Sequence, residues 1–273
     1  MSLHFTSLNS GSNGNAYYIA NEEEAVLIDA GITCKMLEKR LQDVALNPQK
    51  IKAIFVSHEH SDHIKGLAAF SSKYNLPVYG NLKTLGKCFG LSGLLMKDIH
   101  NTETVGIGNL QVTAFSKQHD AIDPISFTVK NKDTVVGIFT DIGKPCSNLA
   151  SHFKHCDAAF LESNYDEEML HNGPYPEFLK RRICGGRGHL SNKEALAFFL
   201  EHGTDRLQYL LLAHLSGSNN APGIVEQLYR PHQKKLKILV ASRQEAMALQ
   251  FVKKVQEKAV KNFARPTQLC FEW

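Results

Sequence analysis

Short apolar runs recur along the chain, each bounded by polar and turn-forming residues. LHFTSL, NAYYIA, EAVLIDA and IKAIFVS fill the first part; LPVYG, LQVTAFS, ISFTVKN and TVVGIFTD follow; AAFLES, LQYLLLAH and LKILVAS come later. Rich in β-branched and aromatic residues and too short for buried helices, they predict strands. Helical spacing appears at Cys34–Val44 and Asp62–Tyr74, and most clearly at Ser191–His202. There Ser191 is the expected N-cap, Glu194 completes an S-x-x-E capping box, and Gly203 stands where a helix stops. From Arg243 onward the pattern is charged and partly helical. Strands alternating with helices, without low-complexity segments or an evident repeat, predict a layered α/β protein. Residues 1–273 are expected to form one domain, with about 243–273 as a C-terminal tail.

Several predicted strands end in a side chain able to bind metal: Asp29 after AVLI, His58 after AIFVS, Asp141 after VGIFT, Glu162 after AAFL, and His214 after YLLLA. Strand ends are where loops build sites on a rigid frame, so five of them suggest a shared edge. The densest stretch is SHEHSDH at 57–63. Burying such groups is costly unless each finds a partner, in the protein or in a metal. His58 and His60 are two apart in a segment leaving a strand, so when extended they point to one side. Asp62 and His63 begin the following helix and can face back. Imidazoles and carboxylates ligate zinc, manganese and iron. With His119, Asp141 and His214 the donors number seven, more than one tetrahedral ion uses; two ions sharing a carboxylate would use them all. Taken alone, His119 in KQHDAID reads equally as a loop histidine, Asp141 as a cap or turn residue, and His214 as a core histidine.

Composition narrows the setting. Of 273 residues, 43% are hydrophobic and 21% charged, as in ordinary globular proteins, and the net charge of +4 suits an anionic substrate without demanding one. The opening MSLHFTSLNSGSNGNAYY has neither a basic nor an apolar signal region, and no apolar stretch approaches a membrane span. Cysteines 34, 88, 146, 156, 184 and 270 form no CxxC pair, which predicts reduced thiols and a cytoplasmic protein. Lys180, Arg181, Arg182 and Arg187 precede His189, and Lys234, Lys235 and Lys237 follow the last candidate ligand, two basic clusters suited to a phosphate backbone.

HEHSDH at 58–63, following VLIDAG at 26–31, resembles the metallo-β-lactamase superfamily. SGSNGNAYYI, SHEHSDHIKGL, KQHDAIDPISF, FTDIG, LESNYD, GHLSNKEA and AHLSGSNNAP together resemble its YycJ (WalJ) branch over roughly residues 2 to 242. The resemblance implies an αββα four-layer sandwich: two mixed β-sheets face to face, helices outside. The order of elements permits this and would equally permit a doubly wound sheet. It further implies that His58, His60 and His119 bind one metal, that Asp62, His63 and His214 bind a second, and that Asp141 bridges. Asp62 then serves as ligand and catalytic carboxylate, and Asp29 orients an imidazole from behind. The cofactors implied are two divalent ions, zinc or manganese, with iron as a further candidate. Such a pair lowers the pKa of a bridging water toward about 7 and supplies the nucleophile.

An alkoxide leaving group needs a proton. His189 in GGRGHLS is the candidate donor, with Glu162 as the carboxylate that raises its proton affinity. The competing reading makes His189 only a neighbour of the capped helix, against which stand Gly185, Gly186 and Gly188, which permit close backbone approach. Ser10, Gly11, Ser12 and Asn13 in SGSNGN either offer N–H groups to a phosphate or form a hairpin turn. Arg187, Ser216 and Asn219 complete the candidate substrate contacts.

Some relatives are excluded. Diiron oxygen-reducing members carry a glutamate where His60 stands. Members with a large inserted domain need more than the 72 residues between Asp141 and His214. The long Gly/Pro-rich arm of tRNA 3′-end processing members is reduced here to HNGPYP, and thioester hydrolases and lactamases do not need His189. A compact phosphodiesterase remains, and the branch implies a 5′-to-3′ DNA exonuclease with DNA carrying a free 5′ end as partner. The alternatives are a hydrolase of small cyclic or linear phosphodiesters, and a metal-binding regulatory module without turnover.

Overall fold

The computed structural model describes residues 3–233 and 236–252; Lys234, Lys235 and the tail from residue 253, including Cys270, lie outside them. The first sheet is built from β1 (His4–Asn9), β2 (Ala16–Ala20), β3 (Ala25–Ile28), β4 (Ile51–Phe55), β5 (Val78–Gly80) and β6 (Met96–Asp98), in that order. The second contains β7 (Thr104–Ile107), β8 (Leu110–Ser116), β9 (Ile125–Asn131), β10 (Thr134–Phe139), β11 (Ala158–Glu162), β12 (Tyr209–Ala213) and β13 (Lys237–Val240), again in chain order. β14 (Gln250–Phe251) returns to the first sheet and pairs with β1. Each sheet therefore carries three antiparallel ladders followed by three parallel ones. The repeat is one of topology. It left no trace in the residue pattern, because ladder order is kept by burial and not by residue identity.

Aromatic side chains fill the space between the sheets. Phe5 and Tyr17 meet Phe160 at centroid distances of 5.9 and 4.8 Å, and Phe55 meets Phe127 at 5.6 Å. Outside the first sheet, Leu37 and Leu41 of the helix Cys34–Asp43 and Phe70 of the helix Leu67–Tyr74 pack on Leu27 and Ile54. Outside the second, the helices Ser147–Phe153, Asn192–His202 and Pro222–Tyr229 bring Leu149, Phe198 and Val225 onto Leu161 and Leu212. The result is the four-layer αββα sandwich. Central strands covered on both faces explain why the runs of β2 and β11 are buried at every position and do not alternate.

Three expectations need adjustment. The helix predicted over Asp62–Tyr74 is two, Ser61–Ile64 and Leu67–Tyr74. Gly66 interrupts it because its N–H turns to the Ala30 carbonyl at 2.8 Å, and a Cβ there would lie 2.0 Å from Ile32 O. The first helix ends at Asp43, with Val44 as its cap. Between Arg243 and Val252 the chain forms no helix; its pairing element is β14, with Phe251 opposite His4. The capping box at Ser191 is present as expected. No helix among the described residues is long and apolar enough to cross a membrane, and the five described cysteines are free.

Candidate metal centre

Three of the five polar strand ends share a backbone feature. Asp29, Asp141 and His214 take left-handed φ values of 60°, 56° and 56°, a conformation costing a side-chain-bearing residue roughly 1–2 kcal/mol. Hydrogen bonds hold two of these turns: Asp29 N–H donates to Phe55 O at 2.8 Å, and His214 N–H donates to Ser10 Oγ at 2.8 Å. The HEHSDH turn is clamped from below by VLIDAG. Ala30 N–H bonds His63 O at 2.8 Å, and Asn15 N–H bonds Asp62 O at 2.7 Å. Gly31 fits beneath it because a Cβ there would lie 1.7 Å from Asp62 O.

Two trios of donor atoms result. In the first, His60 Nδ1 lies 3.1 Å from His58 Nε2 and 3.3 Å from His119 Nε2. In the second, Asp62 Oδ2 lies 3.5 Å from His63 Nε2 and 3.4 Å from His214 Nε2. Asp141 stands between them, Oδ1 at 3.8 Å from His119 Nε2 and 3.5 Å from His214 Nε2, Oδ2 at 3.2 Å from His63 Nε2. The far side of four of the five rings is occupied: His58 Nδ1 meets Ser57 Oγ at 2.9 Å, His63 Nδ1 meets Asp29 Oδ2 at 2.7 Å, His119 Nδ1 meets Gly188 O at 2.8 Å, and His214 Nδ1 meets Glu162 Oε1 at 2.9 Å. In these four rings Nδ1–H donates outward and Nε2 faces the centre, whereas His60 turns Nδ1 inward.

Such convergence suits a cation. Lone pairs aimed at one another repel unless positive charge sits between them. A tetrahedral zinc with bonds of about 2.0–2.1 Å places its ligands about 3.3 Å apart, which matches the first trio. Asp141 Oδ2 is buried and makes no hydrogen bond. Each trio can hold a divalent ion, with the Asp141 carboxylate offered to both.

Charge is tightly coupled here. Burial pushes the His58 imidazolium well down, and likewise lowers His119 to about 4. Burial acts the same way on His63 and His214, but the carboxylates, Asp141 foremost, outweigh it and raise both, His214 to about 10. Burial opposes ionisation of Asp141 and Asp62, yet the surrounding imidazoles hold both well below the carboxylate range. A divalent ion competes with the protons on His63 and His214, so loading releases protons and weakens in acid.

Beside the trios, His189 Nδ1 lies 2.8 Å from Glu162 Oε1, and its side chain is 22% exposed. Glu162 is fully buried, and its Oε2 accepts Ile142 N–H at 2.7 Å and Leu190 N–H at 3.1 Å. Burial favours the neutral acid, but His189 and His214 hold the carboxyl down to about 2. Glu162 Oε1 is therefore shared between the donor candidate and a metal-ligand candidate, which the sequence did not suggest.

The expected substrate contacts divide. SGSNGN is the β1–β2 hairpin turn: Ser10 N–H is bonded to Ser242 O, Gly11 N–H to Asn15 Oδ1, and Gly14 N–H to Gly11 O. Ser10 is buried and its hydroxyl holds His214, so Ser10 and Gly11 have no N–H to offer a phosphate. Ser12 and Asn13 are exposed. Asn219 is fully buried, with its side-chain amide packed near Gly173, so it too is withdrawn from substrate. Ser216 is half-buried, and its hydroxyl accepts Asn219 N–H at 3.2 Å. Arg187 lines an open pocket of about 450 Å³ with Asp120, Ala121, Arg181, Arg182 and Gly185. Three contributors were missed. Ser57 Oγ bonds Asp29 Oδ2 at 2.8 Å as well as facing His58. Asn15 Nδ2 lies 3.3 Å from Asp62 Oδ2 and 3.2 Å from His63 Nε2. Lys117, buried, donates to Thr140 O at 2.8 Å, one residue before Asp141. Ser57 and Asn15 lie inside quoted motifs; Lys117 carried no signal.

Comparison with known proteins agrees with this architecture. The family model of the metallo-beta-lactamase superfamily matches residues 10–116. The chain is 38% identical over 224 residues to the exodeoxyribonuclease YycJ of Bacillus anthracis, covering 81% of this chain and 85% of that protein. It is 32% identical over 222 residues to the exodeoxyribonuclease WalJ of Streptococcus pneumoniae, covering 79% and 82%. Among solved structures, the metallo-beta-lactamase fold protein YhfI of Bacillus subtilis superposes with a TM-score of 0.69 at 16% identity, over 90% of this chain and 99% of that one. The chain belongs to the metallo-β-lactamase superfamily, in the branch of YycJ and WalJ.

Proposed function

We propose that this protein is a binuclear metal-dependent phosphodiesterase that removes nucleotides from DNA in the 5′-to-3′ direction. The observation that carries the reading is the His189–Glu162 pair at 2.8 Å beside the donor trios. Pure metal binding has no use for it, and cleavage to an alkoxide does. The names of the two relatives, both exodeoxyribonucleases, support DNA as the substrate.

His58, His60 and His119 would hold one ion, Asp62, His63 and His214 the other, and Asp141 would face both. Divalent ions there would supply Lewis acidity to the phosphate and a nucleophile from water at neutral pH. The chain's own residues do the rest. Asp29, Ser57, Gly188 and Glu162 fix the imidazoles with Nε2 inward. His189 gives the proton on Nε2 to the departing oxygen while Nδ1–H stays on Glu162 Oε1, which fixes the orientation of the ring. Ser12, Asn13 and Arg187 would contact phosphates without reading bases, so cleavage is sequence-tolerant and weakened by salt. The free thiols support a cytoplasmic location.

The test is a time course on end-labelled, 5′-phosphorylated DNA at two ionic strengths, beside circular DNA and a small cyclic diester. The expected result is a ladder advancing from the 5′ end, slowed by salt, with circular DNA intact. Preference for the cyclic diester without a salt effect would favour the small-molecule hydrolase instead.

A further inference from the structure

β13 lies parallel to β12, as β12 does to β11, so the three strands deliver their C-terminal ends to one edge. β11 and β12 bring Glu162 and His214 there. β13 brings Ala241, Ser242 and Arg243. The sequence pattern made Arg243 the start of a charged tail, whereas the fold ties it to the site: Ser242 O accepts Ser10 N–H at 3.0 Å, Asn13 Nδ2 donates to Arg243 O at 2.9 Å, and Ser10 Oγ carries the His214 N–H.

The Arg243 side chain runs between two loops that have made room for it. A Cβ on Gly11 would lie 2.8 Å from Arg243 Cγ, and a Cβ on Gly217 would lie 1.9 Å from Nη1 and 2.6 Å from Cζ. Gly11 belongs to the β1–β2 turn, and Gly217 to the loop that follows His214. At both positions the missing Cβ leaves the space that the arginine side chain occupies. The guanidinium is always charged and offers five N–H donors, yet Nη1 is buried without a hydrogen-bond acceptor. Arg182 and Arg206 answer Asp120 and Asp157, but among the described residues no carboxylate pairs with Arg243. The exposed residues Asn13 and Gly217 lie against it, and Glu245, exposed two residues further on, makes no ion pair with it. An uncompensated fork of donors, cradled at the rim of a site that handles phosphodiesters, lacks only an anion.

We propose that Arg243 is a substrate-binding residue that holds a backbone phosphate of the DNA strand on the His214 side of the centre. Arg187 and its neighbours lie on the His119 side, so the strand crosses the centre between the two. This assignment rests on the nuclease reading above.

The experiment uses the metal-loaded enzyme and a 5′-phosphorylated oligonucleotide. KM, kcat and the salt dependence of kcat/KM are measured for wild type, Arg243→Ala, Arg243→Gln and Arg243→Lys, with metal content and thermal melting alongside. Loss of the charge should raise KM about tenfold or more, the scale of one charged hydrogen bond. The slope of log kcat/KM against log salt should become shallower by about 0.7–0.9, the share of one phosphate contact. Lysine should recover part of the KM and most of the slope, as a point charge without the fork; glutamine should recover neither. Losses should be larger on the oligonucleotide than on a bis-aryl phosphate. If the alanine variant fails to fold, the glutamine and lysine variants decide. Unchanged KM and slope in the variants, or equal losses on both substrates with an unchanged slope, would overturn the assignment while leaving the nuclease reading intact. A wild type that shows no saturable action on DNA would overturn both.

Discussion

At the scale of single residues, function here depends on which nitrogen of each imidazole is committed. Four of the five histidines in the trios have Nδ1 engaged by Ser57, Asp29, Gly188 or Glu162, and only His60 offers Nδ1 to the centre. HxHxDH made the donors legible because their spacing has few other uses. Ser57, Asn15, Lys117 and Arg243 were not legible as contributors, since each alone is an ordinary polar residue, even where, as with Ser57 and Asn15, it lies inside a family motif. Ser10 and Asn219 misled for the same reason in reverse: residues that look available to substrate are buried supports. His189 yields the clearest prediction at this scale. His189→Ala should bind metal as before and cleave diesters with alkoxide leaving groups about 10²–10⁴-fold more slowly. The loss should be much smaller for bis(p-nitrophenyl) phosphate, whose nitrophenolate departs without a proton. Comparing the two rates in the variant is the measurement, and equal losses would remove His189 from the donor role.

Among the elements, strands were easier to foresee than the connections between them. Doubly covered strands such as β2 and β11 announce themselves as apolar runs, while β6, β7 and β14 are short and partly exposed and leave little pattern. The break at Gly66 was hidden because it is imposed by a neighbouring loop, not by local propensity. That loop, residues 29–33, grips the HEHSDH turn through the Ala30 N–H on His63 O and through the Asp29 carboxylate on Ser57 and His63. Gly31→Ala should therefore lower stability by about 1–3 kcal/mol, the usual cost of overpacking, and should reduce metal content by displacing Asp62 and His63. Gly106→Ala is the control: nothing lies within 4 Å of its Cβ position, and its effect should stay within about 0.5 kcal/mol. Denaturation midpoints and metal analysis of the two variants check this, and similar behaviour of both would show that the clamp is unimportant.

Over the whole molecule, the centre lies across the seam of the two sheets. Asp29 and the HEHSDH turn come from the first; His119, Asp141, Glu162 and His214 come from the second. Both halves use the same ladder order, and in each the chain leaves the strand where antiparallel pairing changes to parallel through an aspartate with left-handed backbone, Asp29 after β3 and Asp141 after β10. The two aspartates differ in contact: Asp29 holds an imidazole from behind, and Asp141 faces the donors. The sandwich was legible through the family motifs and only weakly through the strand order, which a doubly wound sheet would also satisfy.

The proposal of two ions, one for each trio across this seam, is tested directly by metal titration. Chelator-treated protein is titrated with manganese or zinc while hydrolysis of a bis-aryl phosphate is followed. No activity is expected without metal, and with it a rise that levels off at two equivalents per chain. Activity that persists without metal, or that saturates fully at one equivalent, would contradict it.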